Sequence, residues 1–335
     1  MTAISPPTTP RPRALTFGNV WLSVGLVAIL FLYPFVFGKT LNFGISTLLF
    51  GGFAMSWNIL GGWAGQTSLG HAALLGIGAY TMTLLASPDR LPPFLQTPLA
   101  PWWGTLIGMV IAVLVAALWG GLTFRLQGSY FTLSTIAVAL VIRLIAINSE
   151  WTGGAEGLFM PELPLLFGFD LFDRLTEYWL AFGFVVLTLL ITHLIRRSRM
   201  GYALQAVRED EDGARALGID PARMKLLAFM LSAALMALGG SIYAIYLQAF
   251  EPHTLLELPI SIQIALMAII GGRTTIQGPL IGALLLSIFG EVFRNVFSNA
   301  NLLIYGVLIL LVTLFAPQGI MGLFHRAGSK LGTAR

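Results

Sequence analysis

Cysteine is absent from all 335 residues, which excludes disulfides and thiolate metal sites. Histidine is scarce: His71, His193, His253 and His325 occur, and none lies at metal-ligand spacing from another. Charge is low at 10% of residues, against about 25% in soluble domains. The apolar share is 56%. So little charge in so apolar a chain excludes a soluble domain and points to an integral membrane protein. The net charge of +4 is small and sits in loops, so it marks topology and gives no footprint for nucleic acid.

Motifs for nucleotide chemistry are missing as well. Gly38-Lys39-Thr40 ends like a phosphate-binding loop, but Tyr33 stands where the first glycine belongs and no strand precedes it. Gly76-Ile77-Gly78-Ala79-Tyr80-Thr81 lacks the third glycine of a dinucleotide fingerprint. No HExxH or GxSxG occurs, and no clustered nucleophile or metal set is found. No cofactor is expected. The chain is read as a non-enzyme, and any active transport would need an ATPase in trans.

What is present is a series of long apolar runs. A span needs about 20 apolar residues. On that measure the chain reads as an all-α polytopic transmembrane helix bundle with passes at 19–38, 41–61, 64–86, 102–124, 128–148, 179–196, 225–250, 258–271, 279–297 and 302–316. The eighth is too short to cross as a straight helix, and tilted, broken and re-entrant forms all fit it. The first run exceeds a signal-peptide core and lacks a small-residue cleavage site. It is read as a retained span after a disordered basic tail over 1–18, with a second tail over 317–335.

The charges orient this bundle. With the N-terminus inside, inward loops hold Arg125, then Arg196, Arg197, Arg199, Arg208, Arg215, Arg223 and Lys225. Arg273, Arg326, Lys330 and Arg335 follow on the same side. The outward segment 149–178 holds Glu150, Glu156, Glu162, Asp170, Asp173 and Glu177 against Arg174. The positive-inside rule then puts both termini in the cytoplasm. Trp102, Trp103, Trp151, Tyr178 and Trp179 fall near outer boundaries, as interfacial aromatics do. Segment 149–178 includes a possible surface helix from Leu163 to Phe172. It reads equally as a contact for an external protein or as a lid over the helix ends.

The densest charge lies in the inward loop 197–224. Gly218 reads as a helix stop. Asp220 and Pro221 read as the cap and first residue of the next helix. One short helix fits between Arg208 and Leu217, with acids Glu209, Asp210, Glu211 and Asp212 toward its start and Arg215 toward its end. Ala206, Ala214 and Ala216 keep it slim. A docking element and a plain solvated loop both fit this pattern.

A second cluster opens the third span, where Asn58, Gln66, Ser68 and His71 lie among Gly61, Gly62, Gly65 and Gly70. Read as one helix, this puts His71 near mid-bilayer. The cluster is either a lining of the translocation path or helix packing satisfied by neighbours. A similar glycine turn runs from Gly271 to Pro279, and with the first it hints at a duplicated core. Arg143, near an outer helix end, is expected to snorkel outward. Glu291 and Arg294 can pair on one helix face.

Three stretches together carry a family resemblance. They are Asn58-Ile59-Leu60-Gly61-Gly62-Trp63-Ala64-Gly65-Gln66-Thr67-Ser68-Leu69-Gly70-His71-Ala72 with Gly76-Ile77-Gly78-Ala79-Tyr80; Arg208-Glu209-Asp210 through Ala216-Leu217-Gly218-Ile219 and Lys225 to Phe229; and the Gly271–Pro279 turn. In these the chain resembles the M-type permease subunit of branched-chain amino acid ABC importers. Arg273 departs from the uncharged turn that the family often shows. The resemblance implies a multi-pass subunit of a bacterial inner membrane importer. Its implied partners in the lipid bilayer and beside it are a homologous second permease subunit, two cytoplasmic ABC ATPase subunits and an external solute-binding protein. Arg208, Glu209, Asp210, Ala214, Leu217, Gly218 and Ile219 would form the ATPase-coupling helix. Permeases for urea or short amides look similar, so the solute stays open. A stand-alone secondary transporter is the rival class, and few acids lie deep enough in the spans to serve it.

Overall fold

The computed structural model describes residues 17–87, 100–124, 129–163 and 169–296. Helices lie on each expected span from the first to the ninth: α1 (Phe17–Val36), α2 (Leu41–Asn58), α3 (His71–Ala86), α4 (Pro101–Thr123), α5 (Ser129–Asn148), α6 (Arg174–Arg197), α9 (Pro221–Leu247), α11 (Leu258–Gly271) and α12 (Gly278–Val296). Between α6 and α9 lie α7 (Arg199–Glu209) and α8 (Glu211–Ala216), and the one-turn α10 (Pro252–Leu255) precedes α11. Six helices among the described residues are long and apolar enough to cross a membrane. The expected tenth span, both tails, Arg125 and the side chain of Arg294 lie outside the described residues.

Which face of each helix is buried identifies the solvent. Along α4, Gly104, Gly108, Ala112, Ala116 and Gly120 recur every fourth residue and are buried. Val110, Leu114, Leu118 and Leu122 recur at the same interval and are 57–77% exposed. A helix in water would bury its leucines. Here the large apolar side chains face outward and the small ones face protein, as expected where lipid supplies no hydrophobic drive and close backbone approach supplies the attraction. An apolar surface this continuous would aggregate in water. The chain is a multi-pass membrane protein.

The small residues let three backbones touch. A Cβ on Gly78 of α3 would overlap the Ala237 carbonyl of α9, and one on Gly240 of α9 would overlap the Leu75 carbonyl of α3. From the other side, a Cβ on Gly108 of α4 would stand 3.3 Å from the Gly78 Cα. Ser241 Oγ donates to the Gly78 carbonyl at 3.1 Å, a polar clasp inside this seam. The second layer surrounds α2, which is apolar on every side and touches α6, α9, α11 and α12. Its Ile45, Leu48, Leu49, Phe53 and Trp57 are fully enclosed.

Several expectations need correction. The third helix begins at His71 rather than at residue 64, because α2 runs on through a π-helical turn (Ile59–Trp63) and residues 64–70 form a loop. His71 is therefore the first residue of α3, not a mid-span residue. The eighth span, 258–271, is the continuous helix α11; the one-turn α10 precedes it, and Leu256 and Glu257, the latter with extended backbone (ψ 148°), separate the two. Residues 169–172 are not helical, and 164–168 of the expected Leu163–Phe172 helix lie outside the described residues. The 149–178 segment is instead fastened by the two-residue strand β1 (Leu158–Phe159), antiparallel to β2 (Ala249–Phe250) at the end of α9. Tyr178 is buried and donates to the Leu30 carbonyl at 2.6 Å, so it is a packing residue rather than an interfacial one. Arg143 pairs with Glu257 at 3.2 Å and meets His253 Nδ1 at 2.9 Å, at the end of the bundle that carries α10.

Gly78→Ala and Gly240→Ala each force a methyl against a carbonyl of a packed helix, which cannot rotate away. Each is expected to cost about 1–3 kcal/mol. Gly121→Ala, where nothing lies within 4 Å, should be neutral. Heat-induced aggregation of the detergent-solubilised protein reads the difference.

Candidate functional site

The end of the bundle that carries α7 and α8 is built by a run of caps. Ser198 ends α6 and caps α7, its Oγ accepting from Gly201 N at 3.4 Å. A Cβ on Gly201 would overlap the Ile195 carbonyl, so the corner between α6 and α7 closes only around glycine. Asp210 then takes extended backbone (φ −156°, ψ 110°) and caps α8, its carboxylate accepting from Asp212 N at 3.0 Å. This divides the single helix expected from Arg208 to Leu217. Arg208 and Glu209 end α7, Asp210 is the hinge, and α8 starts at Glu211. The acidic run is the physical reason, since an aspartate facing a free N–H stabilises a new helix start better than it continues the old one.

The stop at Gly218 is as expected. Its φ is +81°, Gly218 N donates to Arg215 O at 3.0 Å, and Ile219 N donates to Ala214 O at 3.0 Å. This is a Schellman pair. Asp220 Oδ1 then accepts from Ala222 N and Arg223 N at 3.0 and 3.3 Å to start α9. Ala214 is buried, whereas Leu217 is 80% exposed beside the exposed Asp212 and Arg215. Glu211 forms an ion pair with the buried Lys225 of α9, so α8 is bound to that helix by charge as well as by its caps.

Arg208 points the other way, into the bundle. Its guanidinium pairs with Glu209, and Nη1 donates to the Gly62 carbonyl at 3.3 Å. Gly65, at φ +71°, lies against the Arg208 stem; a Cβ there would stand 2.8 Å from Cγ. Gly62 is in turn pressed by the backbone of the 271–278 turn, where a Cβ would overlap the Arg273 carbonyl. Asn58 Nδ2 donates to the Thr275 carbonyl at 3.2 Å. The three stretches that looked related by motif alone thus meet at one point. Arg273 contributes its backbone there while its side chain is exposed.

The loop over 64–70 is held by side chains from distant elements. Thr132 Oγ1 donates to Thr67 O at 2.8 Å, Leu69 N donates to Thr135 Oγ1 at 3.0 Å, and Trp57 Nε1 donates to Ser68 O at 2.7 Å. Ala72 N donates to Ser261 Oγ at 2.9 Å. His71 joins the loop to α9: Nδ1 meets Ser68 Oγ and Nε2 meets Ser232 Oγ, both at 2.9 Å. Ser232 Oγ donates onward to Ser56 O at 2.7 Å. One proton order satisfies the whole chain: Ser68 O–H to Nδ1, Nε2–H to Ser232 Oγ, Ser232 O–H to Ser56 O. That order requires neutral imidazole in its Nε2–H tautomer.

This placement bears on the expected path residues. Asn58, Ser68 and His71 are 0–2% exposed and enclosed by protein, and Gln66 is half-buried. The structure brings Ser68 and His71 into a hydrogen-bonded chain with Ser232 and ties Asn58 separately to the Thr275 carbonyl. Sequence reading missed Thr132, Thr135 and Ser261, which hold the backbone of Thr67, Leu69 and Ala72; isolated hydroxyls in apolar helices were the available signal.

The family described as branched-chain amino acid transport system, permease component, matches residues 39–314. The chain is 27% identical over 323 residues to the high-affinity branched-chain amino acid transport system permease protein LivM of Escherichia coli strain K12, covering 89% of this chain and 74% of that one. It is 27% identical over 263 residues to the probable branched-chain amino acid transport permease protein LivH of Methanocaldococcus jannaschii, covering 73% and 80%. It is 24% identical over 285 residues to the LivH permease of Salmonella typhimurium, covering 80% and 90%. No solved structure matches it.

His71→Leu leaves the buried Ser68 O–H without its acceptor and removes the donor to Ser232 Oγ, which still donates to Ser56 O; the cost is about 1–3 kcal/mol, so the apparent Tm should fall by roughly 2 °C or more. Ser232→Ala should cost less in the His71→Leu background than alone. Thermal unfolding of the two single variants and the double variant measures this coupling.

Proposed function

Since the chain belongs to the branched-chain amino acid transport permease family, we propose that it is the membrane subunit of an ABC importer that moves branched-chain amino acids inward. In this reading it sits in a bacterial inner membrane with both termini cytoplasmic. It pairs with a homologous permease, and two ATPases dock on the inner side while a solute-binding protein docks outside. The solute class follows that of the relatives, which are branched-chain amino acid transport permeases. Both LivM-type and LivH-type relatives are found, which favours a pair of homologous permeases.

The observation that carries the coupling role is the rigid, two-way attachment of α7 and α8. The exposed Leu217, set between charged side chains, is the apolar knob that would enter a groove on an ATPase. Glu211–Lys225 and the caps at Gly218 and Asp220 tie α8 to α9. Arg208 ties α7 to the Gly62 carbonyl and so to the 271–278 turn. A displacement of α8 on ATP binding would therefore move α9 with it. Arg208 would transmit a simultaneous displacement to α2 and α12. Rigid-body motion of packed helices between two arrangements would then switch the access of the solute.

Gly218→Pro replaces φ +81° with a residue fixed near −65° and opens the Schellman pair. Glu209→Arg sets two guanidiniums side by side and releases Arg208. In the assembled importer both variants should insert normally. Each should lose uptake by at least roughly tenfold, the worth of one charge-assisted bond, and each should lose solute-stimulated ATP hydrolysis. Normal uptake in either counts against this coupling role. Ion-driven uptake by the chain alone in liposomes would favour a secondary transporter.

A further inference from the structure

Ion pairing at the α7–α8 end of the bundle is uneven. Every acid of α7 and α8 is engaged: Glu209 with Arg208, Glu211 with Lys225, Asp212 with Arg215, and Asp210 in the cap of α8. Arg196, Arg197 and Arg199 have no ion pair among the described residues. No acid occurs in the sequence between Glu177 and Glu209, so none lies nearby in the chain to neutralise them. The three arginines occupy one corner. Arg196 and Arg197 end α6, Ser198 turns the chain, and Arg199 opens α7. A Cβ on Gly201 would stand 2.9 Å from the Arg196 Cα, so the first turn of α7 is folded against the last turn of α6. Arg197 and Arg199 are exposed and Arg196 is half-buried. A half-buried guanidinium without a counter-ion is costly, and three like charges on four residues repel one another.

The corner also continues a lipid-facing stripe. Along α6, Leu187, Leu190 and Leu194 are 41–58% exposed, and Arg197 follows at the same spacing of three and four residues. One face of the helix thus meets lipid tails over about 10 Å and ends on a cation. On α7, Arg199 and Tyr202 are three apart and share a face. Tyr202 is 64% exposed, and an exposed tyrosine beside arginine marks the level of lipid headgroups.

We propose that this corner holds an anionic phospholipid, with an acyl chain along the leucine stripe and the phosphodiester gripped by the arginines. A guanidinium offers paired N–H donors that match two phosphate oxygens. Arg197, at the end of the stripe, and Arg199, across the turn, take the phosphate. Arg196 gains the counter-ion that the protein does not supply. A zwitterionic phospholipid carries its own ammonium beside the phosphate and neutralises less of this charge. The site needs only the membrane setting and is independent of the solute and of the coupling role. Because Arg199 opens α7, the bound lipid fastens that helix to the bilayer surface.

The test uses the full-length chain in mild detergent with equal amounts of phosphatidylglycerol and phosphatidylcholine of identical acyl chains. Native mass spectrometry reads the lipid retained, and the wild type should retain phosphatidylglycerol in preference. Near a membrane surface each arginine is worth about a fivefold change in affinity. Arg197→Gln combined with Arg199→Gln should therefore lower phosphatidylglycerol affinity by roughly 25-fold, while Arg197→Lys with Arg199→Lys should keep most of it. Arg223→Gln removes an exposed arginine from the first turn of α9 and should leave the preference intact. Equal retention of the two lipids by the wild type, or an unchanged preference in the double glutamine variant, overturns the proposal. An equal loss in Arg223→Gln would reveal a diffuse positive surface, and displacement of the lipid by excess inorganic phosphate would reveal a free-anion site; either overturns it as well. So does release of the lipid when ATPase subunits bind the chain, which would assign the corner to a protein partner.

Discussion

Buried backbone must find hydrogen-bond partners, and much of this structure is organised around meeting that demand in the loop between α2 and α3. Helices satisfy themselves; residues 64–70 do not. Their N–H and C=O groups are served by Thr132 and Thr135 of α5 and by Trp57 of α2, while Ser261 of α11 serves the first turn of α3 and His71 carries the connection to Ser232 of α9. The loop is thereby the joint at which four helices are held in register. Shifting α9 by a helical turn would break the imidazole bridge and leave buried hydroxyls without partners, so the packing of α3 on α9 and the conformation of the loop specify each other.

The same economy appears at the surface formed by α7 and α8. A charged loop beside a membrane has many ways to be flexible, yet this one is closed at every end: Ser198, Asp210 and Asp220 cap three helices and Gly218 closes one. Exposed ion pairs such as Arg215–Asp212 are worth little. Glu211–Lys225 differs because Lys225 is buried, and removal of either partner would leave a charge poorly solvated. The surface is therefore stiff where it meets the bundle and presents its apolar knob, Leu217, outward.

Much of this was legible in the sequence because it is local. Runs of apolar residues gave the helices. Gly218 and Asp220-Pro221 gave the stop and restart, since a left-handed glycine and a capping aspartate act within a few residues of themselves. The stretch at 64–70 reads as helix and is a loop for an equally physical reason. Small residues suit close helix contact as well as a loop, and the deciding hydrogen bonds come from residues 65 or more positions away. The break at Asp210 was hidden because acids at a helix start resemble acids that create one. His71 was placed at mid-depth on the assumption of a continuous helix, and its burial follows from the loop instead.

The 27 residues of α9 make a rod of about 40 Å. One end is fastened by the salt link to α8 and the other runs into β2, which is zipped to the outward segment through β1. Both faces of the membrane are thus attached to a single continuous member. A tug on either attachment arrives at the other as axial motion or tilt of one strut, so any conversation between the two sides needs no intervening relay, and its fidelity is set by how well the glycine seam against α3 lets that strut slide without coming apart.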